Sequence, residues 1–156
     1  MPLLMAGEPP ALRAVCPAGA GPALLVDITG LKNRQGLVRV RVFGGAPGTW
    51  FDKKHWLQRI EVPTPVAGAV RFCMPVPRPG VYAVDVRHDV DGAGKTDRSD
   101  GGGVSGNPQI GLLDVLLGRK PDARKVRVQV GAGTMIVPIT LKSLQGGSFA
   151  PWPGRR

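Results

Sequence analysis

The sequence predicts an all-β fold, an antiparallel β-sandwich of about seven strands with one short helical turn. Three observations point to it. Short apolar runs alternate with period two, as in LVRVRVF at 37–43 and VYAVDVRH at 81–88. The 23 glycines and 16 prolines cluster between those runs, where they mark turns. Helical periodicity is confined to brief stretches. With 156 residues the chain suits one domain with a real core, and 42% hydrophobic content argues against wholesale disorder.

Residues 1–22 are rich in Pro, Gly and Ala and lack periodicity, as expected of a flexible lead-in. They have no basic n-region and no long apolar h-region; an upstream start would make them the remnant of a signal peptide. Ala23–Thr29 is the first strand, with Leu24, Val26 and Ile28 on one face and Asp27 and Thr29 on the other. A polar turn over 30–36 leads to Leu37–Phe43, where Val38, Val40 and Val42 point inward and Arg39 and Arg41 outward. In Thr49–Arg59, Phe51, His55 and Trp56 fall at helical spacing, with Asp52 early and basic residues late, which predicts a short helical turn.

Ile60–Val62 reads as a brief edge strand. Ala69–Met74 follows, with Val70, Phe72 and Met74 inward and Arg71 and Cys73 outward. Val81–His88 sends Tyr82, Val84 and Val86 inward and Asp85 and Arg87 outward. Residues 89–109 read as a long loop, and 112–117 as a helical turn or short strand. Lys125–Val130 alternates again, and Met135–Leu141 closes the set; Pro138 gives that strand an edge position. The sandwich thus spans 23–145, followed by an irregular tail over 146–156.

Cys16 and Cys73 are the two cysteines. No C-x-x-C occurs, so neither a zinc ribbon nor a thioredoxin-type motif is supported. Two distant cysteines fit one structural disulfide in an oxidising compartment; two unrelated buried thiols are the alternative. A lead-in crossing the outer face of the Cys73 strand would carry Cys16 to its partner. No apolar run reaches the length of a transmembrane helix.

The most chemically suggestive stretch follows the Val81–His88 strand. In DVDGAGKTDRSD, Asp89, Asp91, Asp97 and Asp100 occupy loop positions 1, 3, 9 and 12, with Gly94 at 6. That is the spacing of an EF-hand-like calcium loop, in which hard oxygens converge because glycine permits a sharp turn. Ala93 stands where an oxygen ligand is usual, and Asp100 is shorter than the usual bidentate Glu. An Asp/Gly-rich turn whose side chains cap their own backbone is the competing account.

Formal net charge is +10, which favours acidic partners. Arg39, Arg41, Arg71, Arg87, Lys125 and Arg127 all fall on outward strand positions. Adjoining strands would gather them, with Arg39, Arg41, Arg87 and Arg127 as the candidate binding residues of a polyanion-binding face. Like charges facing across a sheet are unfavourable, and Asp27 and Asp85 can interleave. Aromatic content is only 5% and none of it falls on these outward positions, so the stacking platforms of single-strand nucleic-acid recognition are missing. His88, beside Asp89, is a further binding candidate or a strand-end residue bonded to the loop. No serine sits in a nucleophile-elbow context. Gly101–Gly106 is neither a P-loop nor a dinucleotide fingerprint.

The segments VDITGLKNRQGLVRVRVF, PRPGVYAVDVRHDVDGAGK and GGGVSGNP, with the closing strand, resemble the bacterial family of domain of unknown function 2141 over about residues 23–145. The CPAG segment and the RFCMPVP cysteine resemble its sphingomonad and other alphaproteobacterial forms. His88, Asp89, Asp91, Gly92, Gly94 and Lys95 match the family loop, and Ala93 departs from it. The resemblance implies a secreted or periplasmic protein, a transthyretin-like or carboxypeptidase-regulatory-like sandwich, and no established enzyme activity. The expectation is a non-catalytic module with a binding or structural role at the cell envelope, taking calcium weakly at the acidic loop. The alternative is a module for nucleic acid, anionic glycan or lipid acting through the arginines, with nucleic acid the least favoured.

Overall fold

The structure is a computed structural model that describes residues 13–91, 100–109, 114, 117–145 and 148–151. Ten strands lie among them, in two sheets. In chain order they are β1 (Ala23–Thr29), β2 (Leu37–Phe43), β3 (Gln58–Pro63), β4 (Val70–Pro75), β5 (Gly80–Asp89), β6 (Gly101–Val104), β7 (Val128–Val130), β8 (Thr134–Thr140), β9 (Lys142–Gln145) and β10 (Ser148–Pro151). One helical turn, α1 (Ala123–Val126), precedes β7.

The small sheet has the order β4-β1-β8; the large one runs β10-β9-β6-β5-β2-β3, with β7 pairing the start of β5. Period-two alternation gives each sheet one apolar face. Leu24, Val26, Ile28, Val70, Phe72, Met74, Val137 and Ile139 of the small sheet meet Val38, Val40, Val42, Tyr82, Val84 and Val86 of the large one in a single buried cluster. The fold is therefore an all-β sandwich. It is not wholly antiparallel: β1 runs antiparallel to β4 but parallel to β8. As Pro138 predicts, β8 is an edge strand. Its edge is partly closed by Asn107, whose side chain donates to Pro138 O (3.2 Å) and accepts from Thr140 N (2.9 Å), as a neighbouring strand would.

Four elements differ from the sequence expectation. Thr49–Arg59 forms no helix. A 3-10 turn at Pro47–Thr49 is followed by Phe51 in the left-handed region at φ 68°, which interrupts helical geometry. Phe51 instead packs edge-on against Phe43, ring centroids 5.3 Å apart. Within the stretch expected to be loop, Gly101–Val104 is a strand. Lys125–Val130 is not one strand: Asp122 caps α1 by accepting from Arg124 N, and the strand begins only at Val128. Ser148–Pro151, in the stretch expected to be an irregular tail, is a strand that pairs antiparallel with Lys142–Gln145 and extends the large sheet.

A second buried cluster covers one end of the large sheet's outer face. Phe43, Trp50, Ala83 and Val126 form it, with Phe51, Val104 and Ala123 packed around. Outside the small sheet, Cys16 and Cys73 are joined by a disulfide. Cys73 lies on the outward face of β4 as predicted, yet it is fully buried, and its N–H donates to Arg13 O at 2.8 Å. Among the described residues no helix is long and apolar enough to cross a membrane.

Candidate functional site

The acidic loop begins where β5 ends. Antiparallel pairing of β5 with β6 sets His88 opposite Gly101, so Asp89 and Asp100 are brought side by side at the mouth of the connection. Asp91 follows after one tight turn. One carboxylate oxygen from each of Asp89, Asp91 and Asp100 lies within 4.8 Å of the others. Asp89 and Asp100 are buried and Asp91 is exposed. Val90 N donates to Asp100 Oδ1 at 3.2 Å, tying the two ends of the loop together. Asp97, predicted at loop position 9, lies outside the described residues, as do Ala93, Gly94 and Lys95.

The β1–β2 turn braces this arrangement. Gly36, at φ 72°, approaches so closely that a Cβ there would sit 1.9 Å from Asp89 O and 2.5 Å from Val90 O. His88 Nε2 lies 2.7 Å from Gln35 O; a carbonyl can only accept, so Nε2 carries the hydrogen. Thr64 Oγ1 donates to the same carbonyl at 2.8 Å. His88 therefore points into the sandwich, 1% exposed, with Nδ1 buried and lacking a hydrogen-bond partner among the described residues. It shares neither the outward face of the arginines nor a surface position. Gln35, Gly36 and Thr64 carry no motif; only tertiary contact reveals their part.

Chemically, three carboxylates at such spacing repel unless a cation or a proton lies among them. Hard oxygens at this separation suit calcium, which completes its six to eight ligands with carbonyls and water. Arg87 offsets part of the charge, with Nη2 3.6 Å from Asp89 Oδ2.

The outward arginines separate into distinct settings. Register places Arg59, Arg41, Asp85 and Val104 in one cross-strand row and Glu61, Arg39, Arg87 and Gly102 in the next. Arg41 is held by Asp85 in a two-pronged pair, Nε to Oδ1 at 2.9 Å and Nη2 to Oδ2 at 2.5 Å, and its guanidinium lies 5.2 Å from the Phe43 ring centre. Glu61 is shared by Arg59 (3.3 Å) and Arg87 (3.7 Å). Arg39, between them, has a buried Nε with no hydrogen-bond partner among the described residues. Burial, then the charges of Arg41, Arg87 and Arg59, push its guanidinium down to about 10. Arg71 pairs instead with Asp27 on the small sheet, at 3.4 Å. Arg127 is exposed and follows α1, beside a strand that pairs with Gly80–Tyr82, at the opposite end of β5 from Arg87.

Residues 26–137 match the family model described as uncharacterized protein conserved in bacteria (DUF2141). The chain belongs to that family. In this DUF2141 member the match runs from β1 into β8, and so takes in the β5–β6 connection, its bracing turn and both arginine rows. No curated protein and no solved structure matches the chain.

Proposed function

We propose that this protein is a non-catalytic binding or structural module of the bacterial cell envelope, periplasmic or secreted, whose working edge is the β5–β6 connection and whose ligand there is a calcium-type divalent cation. One observation carries the cation reading: the convergence of Asp89, Asp91 and Asp100 within 4.8 Å at the braced end of a rigid sheet. The Cys16–Cys73 disulfide supports an oxidising compartment. A binding rather than catalytic role is favoured by how the polar side chains capable of chemistry are employed. His88 is tied to Gln35 O. The Ser105 hydroxyl is buried between Val126 O (2.5 Å) and Val84 N (3.0 Å). Partners at the envelope would be met through the rim formed by this loop.

Calorimetric titration of calcium into chelator-stripped protein, with a parallel melting scan, tests this reading. Wild-type protein binds one equivalent and melts at higher temperature with calcium. Asp89→Asn and Asp91→Ala each weaken binding at least tenfold. A wild-type titration with neither heat nor a melting shift would overturn the cation assignment.

A further inference from the structure

A second site lies at the opposite end of β5 from the acidic loop, independent of the cation reading. β2 leaves the large sheet at Phe43 and β5 enters it at Gly80. The connections beside them, β2–β3 and β4–β5, enclose an open groove of about 560 Å³. Trp56 and Leu57 line it from the first connection, Pro77, Arg78 and Pro79 from the second. A Cβ on Gly44 would sit 3.1 Å from Tyr82 Cε1, and one on Gly80 3.8 Å from Tyr82 Cε2. The two glycines thus flank opposite edges of the Tyr82 ring, which forms the floor. Tyr82 Oη donates to Arg78 O at 2.6 Å and Leu57 N donates to Val42 O at 2.7 Å, so both connections are pinned in place.

Apolar surface and positive charge meet here. Trp56, Leu57 and Val81 are all exposed, and all line this one concavity. Exposed apolar side chains gathered in a groove mark a binding site, as singly scattered ones do not. No acidic residue lines the groove, whereas Arg78 does. Arg78 is exposed and has no ion-pair or hydrogen-bond partner for its guanidinium among the described residues; the exposed Lys53 and Lys54, next to His55 on the rim, have none either. The acid beside them, Asp52, is taken by Lys120 and lies 3.5 Å from His55 Nδ1. The groove is therefore complementary to an anion. Its main chain offers little to a peptide: Gly44 O accepts from Trp50 Nε1 at 3.2 Å, and Arg78 O and Leu57 N are bonded as described above. A sugar ring has other needs. Its C–H face packs on an indole, its hydroxyls stay hydrated in an open groove, and a ring carboxylate takes both prongs of an arginine fork.

We propose that this groove binds an acidic glycan, with Trp56 as the platform for one pyranose ring and Arg78 as the partner of a ring carboxylate. Lys53 and Lys54 add attraction for the polyanion at the rim, a contribution that salt screens. The Trp56 ring supplies the preference for a sugar over other anions, and Arg78 the preference for an acidic sugar over a neutral one.

Calorimetric titration with a galacturonate tetrasaccharide, in EDTA at fixed ionic strength, tests the site. EDTA removes calcium bridging, so the result does not depend on the acidic loop. Saturable one-to-one binding is expected, weakened at least about tenfold in Trp56→Ala and in Arg78→Gln. Both side chains are exposed, so both variants should melt with the wild type. A neutral glucose tetrasaccharide and tetraglutamate, titrated in the same buffer, should each bind at least about tenfold more weakly than the acidic sugar. Absence of saturable galacturonate binding overturns the site, as does binding that persists undiminished in either folded variant. Tetraglutamate or the glucose tetrasaccharide binding as tightly as galacturonate overturns the assignment to an acidic glycan.

Discussion

Arg87 and Asp89, two residues apart on the same face of β5, stand 3.6 Å from each other and join the arginine rows to the acidic loop. A cation entering among Asp89, Asp91 and Asp100 must compete with the Arg87 guanidinium for Asp89. Removing that competitor therefore strengthens cation binding. Arg87→Gln is expected to tighten calcium binding several-fold in calorimetry. Weaker binding in a normally folded Arg87→Gln protein would show that the arginine supports the loop instead.

Arg41 and Asp85 form a charge pair of which each side chain is only 12% exposed. Removing one partner strands the other in poor solvent. Asp85→Ala is expected to cost about 3 kcal/mol or more in urea unfolding, because Arg41 is left beside Arg39 and Arg59. The double variant Arg41→Leu/Asp85→Leu should recover most of that loss. A double variant as unstable as the sum of the singles would mean that the pair contributes no coupling.

Gly36 has neither side-chain room nor an ordinary backbone angle. Gly36→Ala meets about 1–2 kcal/mol of left-handed strain and drives a methyl group into Asp89 O. Its melting temperature should fall by several degrees and its calcium response should vanish with the displaced backbone. Gly45→Ala is a control, since its φ is also positive, at 68°, but a Cβ there meets nothing within 4 Å. The control should lose stability alone.

Reduction of the Cys16–Cys73 bridge, which closes a sequence separation of 57 residues, should destabilise the fold by about 2–5 kcal/mol. Paired urea titrations with and without reductant measure it, and Cys16→Ser/Cys73→Ser should behave like the reduced protein. Equal midpoints would show that the described lead-in contributes its cover without needing the covalent link.

Much of the framework was legible because local pattern and tertiary demand agree. β1 and β2 have the bounds expected from alternation, for their inward Leu, Val and Ile are the residues a sandwich core requires and Gly30 and Gly36 end the run on either side of the turn. β6 was illegible for the opposite reason. Gly101, Gly102 and Gly103 have no side chains to alternate and little intrinsic preference for a strand. What places them in the sheet is proximity: a Cβ on Gly103 would lie 2.7 Å from Ile139 Cγ2, so only glycine lets β8 come so near. Spacing did single out Asp89, Asp91 and Asp100, but hairpin register between β5 and β6 is what unites positions 1 and 12 of the loop. Alternation likewise set Arg127 on an outward face with the other arginines. The Asp122-capped turn before β7 moves it to another part of the molecule, a long-range outcome no local count contains.

The bridge from Cys16 also decides how the sandwich would bear mechanical load. Tension on the chain ahead of Cys16 reaches the fold through the middle of β4, not through the start of β1. It is carried as shear across the β1–β4 ladder, whose register runs from Ala23 with Pro75 to Ile28 with Val70. Reduction would redirect the same pull to Ala23 and peel the small sheet from its central strand.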